Sequence, residues 1–190
     1  MESSDIVEIR WHGRGGQGAV TSAELLAKAA IGEGKYAQAF PAFGPERRGA
    51  PVMAFNRISG TRAIRVRAGI TEPNIVVVLD ETVLRVVKVT EGLSKDGIVV
   101  VNSKKPASEL AAALGGHWRV ASIDATKIAR ETLGVPIVNT TMLGALIKAS
   151  GAVKPESLVE PLRERFGRLA ERNIKAMQRA VEETVVEGSN

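Results

Sequence analysis

A glycine-rich segment near the N-terminus is the first stretch whose residue types and spacing could bind a ligand. It consists of Gly13, Arg14, Gly15, Gly16, Gln17 and Gly18, which match the pattern G-x-G-x-x-G. Glycines between a strand and a helix allow a tight turn, and backbone N–H groups there can approach a phosphate at the positive end of the helix dipole. The segment predicts an anion-binding turn or, as the alternative, a tight turn that packs against a neighbour without a ligand.

The sequence lacks residues that two specific versions of this motif require. A dinucleotide-binding fold places an acidic residue about 20 positions further on, but residues 36–41 read Tyr-Ala-Gln-Ala-Phe-Pro. A P-loop continues as Gly-Lys-Ser/Thr, whereas Gly18 is followed by Ala19 and Val20. The sequence therefore disfavours NAD binding and nucleotide hydrolysis.

A second charged segment follows at residues 40–51, which contain three prolines and two glycines. It carries Glu46, Arg47 and Arg48 on a frame that cannot form a regular helix or a central strand. Such a frame orders its charged groups at low entropic cost, and arginine suits phosphate or carboxylate recognition. The alternative is a salt-bridged surface loop, and the residues alone do not separate the two.

The remaining polar candidates have plain structural roles as alternatives to chemistry. His12 beside the glycine turn could transfer protons, but a hydrogen-bonded structural role is favoured. Asp80 and Asp124 each end a predicted strand, and capping of the next helix is favoured over ligand contact. Asn139 and Thr140, at a predicted helix start, either cap that helix or contact a ligand. No complete catalytic set emerges, so no residue is predicted to be catalytic.

Composition excludes several classes of protein. The 190 residues include no cysteine and two histidines, which excludes a disulfide scaffold, a thiolate nucleophile and a Cys-ligated iron–sulfur or zinc site, and no metal site is expected. A net charge of +5 suits an anionic ligand, but 4% aromatic residues argue against nucleic-acid binding. No apolar run reaches membrane-spanning length, and the acidic start is unlike a signal peptide. We expect a cytoplasmic protein that does not associate with a membrane.

Short apolar runs alternate with amphipathic stretches, which is typical of an α/β fold. We predict one domain over residues 1–190: a mostly parallel Rossmann-like sheet flanked by helices, with a β-hairpin insertion and a helical C-terminus. The predicted strands span residues 6–11, 36–40, 75–79, 98–102 and 120–123, and the predicted helices 19–30, 106–114, 125–133, 139–149 and 155–166. A further helix-like segment ends near Gly92.

Two further sequence patterns add detail to the predicted fold. Residues 52–58 and 63–66 flank a Ser-Gly-Thr turn and predict the hairpin. Near the C-terminus, Leu169, Met177, Val181 and Val185 recur at near-helical spacing. That stripe predicts a packing face rather than a ligand site.

Two segments together carry a family resemblance. Residues 8–19 (Glu-Ile-Arg-Trp-His-Gly-Arg-Gly-Gly-Gln-Gly-Ala) and 39–51 (Ala-Phe-Pro-Ala-Phe-Gly-Pro-Glu-Arg-Arg-Gly-Ala-Pro) strongly resemble the gamma subunits of 2-oxoacid:ferredoxin oxidoreductases. Residues 74–81, 97–102 and 136–151 are similar to them as well. The resemblance covers nearly the whole chain in order, and the arginine-rich second motif favours the pyruvate branch.

The resemblance implies a role within a heterotetramer of alpha, beta, gamma and delta subunits. In this family the complex converts a 2-oxoacid, coenzyme A and oxidised ferredoxin into acyl-CoA, carbon dioxide and reduced ferredoxin. Thiamine diphosphate with Mg lies between the alpha and beta subunits, and 4Fe-4S clusters lie in the beta and delta subunits. The gamma subunit is associated with the binding or admission of coenzyme A, and no cofactor is assigned to it with certainty.

In this sequence, the resemblance implies that coenzyme A contacts the turn from Gly13 to Gly18 and the motif from Glu46 to Gly49. Asn139 and Thr140 are further candidates for contact with it. Two alternatives remain open. The chain is a purely structural assembly subunit, or it serves another 2-oxoacid such as 2-ketoisovalerate.

Overall fold

Strands and helices alternate along most of the chain in a computed structural model that describes residues 6–42, 49–66 and 68–188. The strands are β1 (Ile6–Arg14), β2 (Tyr36–Pro41), β3 (Pro51–Ser59), β4 (Ile75–Val78), β5 (Ile98–Asn102), β6 (Arg119–Ile123) and β7 (Val185–Glu187). The α-helices are α1 (Ala19–Gly32), α2 (Ala107–Ala113), α3 (Ala125–Leu133), α4 (Asn139–Ser150), α5 (Val159–Phe166) and α6 (Ala170–Glu183). Short 3₁₀ helices span Glu81–Arg85, Pro155–Leu158 and Gly167–Leu169.

The strands form one mixed sheet in the order β2-β3-β1-β4-β5-β6-β7. Its centre, β1-β4-β5-β6, is parallel, while β3 runs antiparallel to both β1 and β2 and β7 runs antiparallel to β6. The predicted α/β class with a parallel core, flanking helices and a helical C-terminus is confirmed. The four parallel strands end at one edge of the sheet, which we call the carboxyl edge, and this is where open α/β sheets hold ligands.

The predicted hairpin is wrong in its second strand. Residues 63–66 are irregular, and the antiparallel hairpin is formed by β2 and β3. The reason is that β3 has β1 on one side and β2 on the other, so no edge of β3 is free for another strand. Side chains instead contact the backbone on either side of this region, since Gln38 donates to Ile64 O at 2.9 Å and Arg57 donates to Ala68 O at 2.8 Å.

Two apolar layers cover the sheet, because its β-branched strands alternate their side chains between both faces. On one face Trp11, Val77 and Val100 pack against α1, α4 and α6. On the other face Val76 and Val99 belong to a second cluster with residues of the Glu81–Arg85 helix and α2. Among the described residues, no helix is both long and apolar enough to cross a bilayer.

The helix-like segment expected before Gly92 is only the 3₁₀ helix Glu81–Arg85 followed by turns. Three valines, at positions 86, 87 and 89, follow that short helix, and β-branched residues lower helix propensity. Gly92 then takes a left-handed φ of 71°. Asp80 begins the short helix as its N-cap, as favoured from the sequence.

The C-terminal stripe packs only in part. Met177 is fully buried and Val181 packs against the core, but Leu169 and Val185 lie outside α6 and are exposed. The helices α4 and α6 approach each other closely at Gly144. A Cβ placed on Gly144 would overlap Met177 O, so this glycine lets the two helix backbones touch.

We expect Gly144→Ala to lower the free energy of unfolding by about 1–3 kcal/mol, because the added methyl group forces α6 away from α4. Gly32→Ala is the matched control, since a Cβ at Gly32 meets nothing within 4 Å. That control should stay within about 0.5 kcal/mol of the wild type or exceed it slightly. Urea unfolding of the three proteins measures both effects, and equal stabilities would contradict the close helix contact.

Candidate functional site

The glycine turn joins β1 to α1 and needs glycine at two of its positions. Gly16 and Gly18 take left-handed φ values of 93° and 83°, which L side chains rarely adopt. Gly18 also permits a close approach, because a Cβ there would lie 2.8 Å from Asn139 Nδ2. The fold therefore places the candidate residue Asn139 directly against the end of the glycine turn.

Arg14 fastens the turn to two other segments. Its Nε and Nη2 donate to Thr82 Oγ1 at 3.0 and 2.8 Å, and its Nε lies 3.5 Å from Asp80 Oδ2. Its Nη1 donates to Gly49 O at 3.0 Å. The guanidinium thus binds the protein itself, joining the end of β4 to the segment that leads into β3.

Gln17 completes this connection from the other side of the turn. Its Oε1 accepts from Arg14 N at 2.7 Å, and its Nε2 donates to Asp80 Oδ2 at 2.9 Å. Burial alone would raise the pKa of the Asp80 carboxyl, but hydrogen bonds from Thr82 and Gln17 and the charge of Arg14 hold that pKa below its ordinary value. Asp80 is therefore an ionised anchor for the turn.

The backbone of the turn also pairs with the second motif. Gly15 N donates to Ala50 O at 2.9 Å, and Gly49 N donates to Gly15 O at 3.2 Å. The two sequence motifs are thus neighbours in space, although they lie about 30 residues apart in the chain. Glu46, Arg47 and Arg48 themselves lie outside the described residues.

Asn139 and Thr140 make internal contacts at the start of α4. Asn139 Oδ1 accepts from Thr140 N at 2.9 Å, which satisfies one N–H of the first helical turn. Thr140 Oγ1 donates to Asn173 Oδ1 on α6 at 2.8 Å, and Ser22 Oγ on α1 donates to Asn139 O at 3.3 Å. Both candidates are buried where α1, α4 and α6 meet.

His12 is a buried hydrogen-bond acceptor, in line with the favoured structural interpretation. It is 2% exposed, and its Nε2 accepts from Arg10 Nε at 3.1 Å. Burial, and then the charge of Arg10, lower the pKa of the imidazole to about 3. Arg10 in turn donates to Val89 O at 2.9 Å and to Glu91 O at 2.6 Å, which binds this loop to the sheet.

A cleft of about 980 Å³ opens at the carboxyl edge beside the glycine turn. It lies between the ends of β4, β5 and β6, the first turns of α3 and residues 136–138, and we call it the carboxyl-edge cleft. Gly16 and Gln17 form its wall on the glycine-turn side, and Pro136, Ile137 and Val138 form an apolar wall. Its size is within the range of small-molecule sites.

The four acidic residues that line this cleft each already bind a protein group. Asp80 holds the glycine turn, as described above. Glu81 Oε2 accepts from Ser103 Oγ at 2.7 Å, and Asp124 Oδ1 accepts from Lys127 N at 2.9 Å as the N-cap of α3. Glu131 Oε2 accepts from Arg179 Nη1 at 2.8 Å.

Four basic residues also line the cleft, and they differ in whether an acidic residue pairs with them. Lys105 pairs with Glu109 at 2.8 Å. Within the ranges that the structure covers, Lys104, Lys127 and Arg130 form no salt bridge, and all three are exposed. Ion pairs offset Asp80, Glu131 and Lys105, so Glu81 and Asp124 remain against these three cations. The cleft therefore has a small excess of positive charge, which suits an anion.

Sequence reasoning missed these cations. It noted Asp80 and Asp124 because each follows a buried strand, but the same rule applies to Ser103 and Lys104, which follow β5. Basic residues directly after a parallel strand were the available signal.

Comparison with known proteins identifies the family. Residues 8–183 match the family model of pyruvate ferredoxin/flavodoxin oxidoreductases. The chain belongs to this family. The predicted membership in an oxidoreductase family, and the predicted gamma type of subunit, are thereby confirmed.

Similar members of the family match over nearly their full length. The chain is 54% identical to the common gamma subunit of pyruvate/ketoisovalerate oxidoreductases from Pyrococcus abyssi, over 95% of this chain and 98% of that protein. It is 53% identical to the pyruvate synthase subunit PorC of Methanothermobacter thermautotrophicus, over 94% and 96%. The crystal structure of pyruvate oxidoreductase subunit PORC from Thermotoga maritima aligns with a TM-score of 0.84 at 39% identity, over 96% and 98%.

Two observations concern metal ligands. The chain has no cysteine for an iron–sulfur cluster. In the part of the chain that the structure describes, no group of three or more His, Asp or Glu side chains could hold a metal ion.

We expect His12 to make stability depend on pH. Its pKa is about 3 in the folded chain and about 6.5 in an unfolded one, so the unfolded state binds a proton first as the pH falls. The free energy of unfolding should drop by about 2 kcal/mol between pH 8 and pH 5 from this group alone.

His12→Gln keeps an acceptor for Arg10 without a titrating ring. Urea unfolding at the two pH values should show a smaller drop for this variant than for the wild type by that amount. His117→Gln, at the exposed histidine, is the comparison variant for the loss of an imidazole. Equal pH dependence in His12→Gln and the wild type would refute a buried neutral His12.

Proposed function

We propose that the chain is the gamma subunit of a pyruvate:ferredoxin oxidoreductase and that its carboxyl-edge cleft helps to bind or admit coenzyme A. The complex would convert pyruvate and coenzyme A to acetyl-CoA and carbon dioxide and pass two electrons to ferredoxin. Thiamine diphosphate and iron–sulfur clusters would supply this chemistry from the alpha, beta and delta subunits. The names of the relatives, which include pyruvate oxidoreductase and pyruvate synthase subunits, support this role.

The observation that carries the coenzyme A role is the charge state of the cleft. Coenzyme A combines several phosphates with a long, less polar arm. The cleft combines the unpaired Lys104, Lys127 and Arg130 with the apolar wall of residues 136–138. Its volume of about 980 Å³ is enough for a large part of such a ligand.

Within this proposal the glycine turn shapes the cleft more than it holds the ligand. Arg14 and the N–H of Gly15 already bind other parts of the chain, while Gly16 and Gln17 line the cleft wall. Asn139 and Thr140 are not in the cleft lining, and their role is to hold the start of α4 against the glycine turn. We keep Glu46, Arg47 and Arg48 as candidate coenzyme A contacts, because the segment that carries them is hydrogen-bonded to the glycine turn at its C-terminal end.

Two alternatives remain within the same family. The contacts of Arg14 favour an assembly role if the turn and the cleft mouth face another subunit. The name of the Pyrococcus abyssi relative covers ketoisovalerate as well as pyruvate, so the same chain could serve a second 2-oxoacid.

A charge placed on the apolar wall tests the cleft. Ile137 is 51% exposed there, and Ile31, 57% exposed at the end of α1, is its matched control. In the complete complex, Ile137→Glu should raise the apparent KM for coenzyme A several-fold by repelling its phosphates, and Ile31→Glu should not. Steady-state kinetics with varied coenzyme A measures both.

Size-exclusion chromatography of the same complexes separates the alternatives. An intact complex with an unchanged KM in Ile137→Glu would show that coenzyme A does not pass this wall. Loss of the complex in Ile137→Glu alone would favour the assembly role.

The second motif allows an independent test. We expect Arg47→Ala and Arg48→Ala to raise the coenzyme A concentration needed for half-maximal turnover, by up to about tenfold for each lost charge-assisted contact. Assembled variants with unchanged coenzyme A dependence would remove these arginines from the site. Variants that do not assemble would mark them as subunit contacts.

A further inference from the structure

Most of the net charge of the chain lies in one short stretch near the C-terminus. Residues 163–179 contain six basic and two acidic residues, so they carry +4 of the chain's net charge of +5. The two acidic side chains are already paired, Glu164 with Lys28 at 2.9 Å and Glu171 with Arg163 at 3.4 Å. The stretch covers the end of α5, the 3₁₀ helix Gly167–Leu169 and most of α6. Its excess positive charge belongs to cations that no acidic residue offsets.

Four exposed cations of this stretch form no salt bridge within the ranges that the structure covers: Arg165, Arg168, Arg172 and Lys175. Leu169, which is 55% exposed, and the half-buried Phe166 lie between them in the sequence. We call these six residues the basic patch. None of them lines the carboxyl-edge cleft, so the basic patch is a separate surface.

Arg168 and Arg172 stand where a cation costs stability. Helix α6 begins at Ala170, so Arg172 lies in its first turn and Arg168 lies two residues before it. The N-terminal end of a helix is the positive end of its dipole, where acidic side chains stabilise the helix and basic ones destabilise it. Departures from such local rules that have no compensating partner inside the fold are typical of functional surfaces. The two arginines therefore point to a contact outside the chain.

The residue types of the basic patch are those of a protein–protein interface. Arginine and aromatic residues are enriched in such interfaces, whereas lysine is depleted, and three of the four cations are arginines. Guanidinium groups bind carboxylates through two parallel hydrogen bonds. Leu169 and Phe166 add apolar surface between the charges, which a small free anion does not need.

We propose that the basic patch docks an acidic face of a neighbouring subunit in the oxidoreductase complex. This inference rests on the proposed function only for the existence of that complex, and not for the role in coenzyme A binding. Opposite charges orient the two faces and favour the correct partner over others. Leu169 supplies the apolar contact within the charged surface.

Charge reversal in the complete complex tests this docking. The variant combines Arg168→Glu and Arg172→Glu. The control combines Arg62→Glu and Arg65→Glu, at two exposed arginines of the segment after β3 that form no salt bridge in the described part of the chain. The variant should leave the other subunits at a concentration about tenfold or more above that of the wild type, and the control should match the wild type. Size-exclusion chromatography over a dilution series measures both.

The isolated chain supplies the control for folding. Because glutamate is favourable at the N-terminal end of α6, the charge-reversed variant should keep the urea midpoint of the wild type or exceed it. Loss of assembly with such a midpoint supports the docking role, since a structural defect would lower the midpoint. If the midpoint falls, the assembly test is repeated with Arg168→Gln and Arg172→Gln, which remove both charges without reversing them.

Failure of this inference can be told from failure of the proposed function. An intact complex in the charge-reversed variant would overturn the docking role alone, because the coenzyme A tests are read from KM values. A wild-type chain that joins no such complex would overturn the proposed function as well. If the variant complex is intact and vesicles of anionic phospholipid bind the wild-type chain but not the variant, the basic patch serves a membrane surface instead.

Discussion

The guanidinium of Arg14 is the contact on which the carboxyl edge depends. It joins three segments that the chain does not connect locally: the glycine turn, the start of the 3₁₀ helix after β4 and the segment that enters β3. Gln17 and Asp80 complete the same network from the opposite side. These contacts hold the glycine turn against Gly49, in the second sequence motif. Because Gly16 and Gln17 line the cleft, the same contacts position one of its walls.

The glycines serve packing as much as flexibility. Gly18 combines a left-handed φ with the close approach of Asn139, so a larger residue would separate α1 from α4. Gly144 repeats this logic between α4 and α6. Thr140 and Asn173 then link these helices through a buried hydrogen bond. In the glycine turn, Gly16 and Gly18 take a left-handed φ, and a Cβ at Gly13 or Gly18 would press on the side chain of Leu79 or Asn139. The geometry of the turn therefore requires glycine at these three positions.

The parts of this structure that depend on neighbouring residues could be predicted from the sequence. The buried valine strands β4 and β5 follow from unbroken β-branched runs, and the caps at Asp80 and Asp124 follow from their place after a strand. The pairing of β3 could not be predicted, because residues 63–66 have suitable side chains and only the position of β2 takes the edge they would need. The internal role of Arg14 was hidden for the same reason, since Thr82 and Gly49 are distant in sequence.

The charge that the cleft presents to a ligand is especially hard to predict from the sequence. The cleft is lined by Asp80, Glu81, Asp124 and Glu131 and by an equal number of basic residues, so a count of formal charges makes it neutral. Each acid, however, is bound by a donor of the protein, whereas three of the cations are not. The free energy of binding an anion depends on the charges that no ion pair offsets. Asp80 and Glu131 are offset by Arg14 and Arg179, and Lys105 is offset by Glu109. A cleft with balanced residues can thus favour a polyanion, and only the pairing of its side chains shows it.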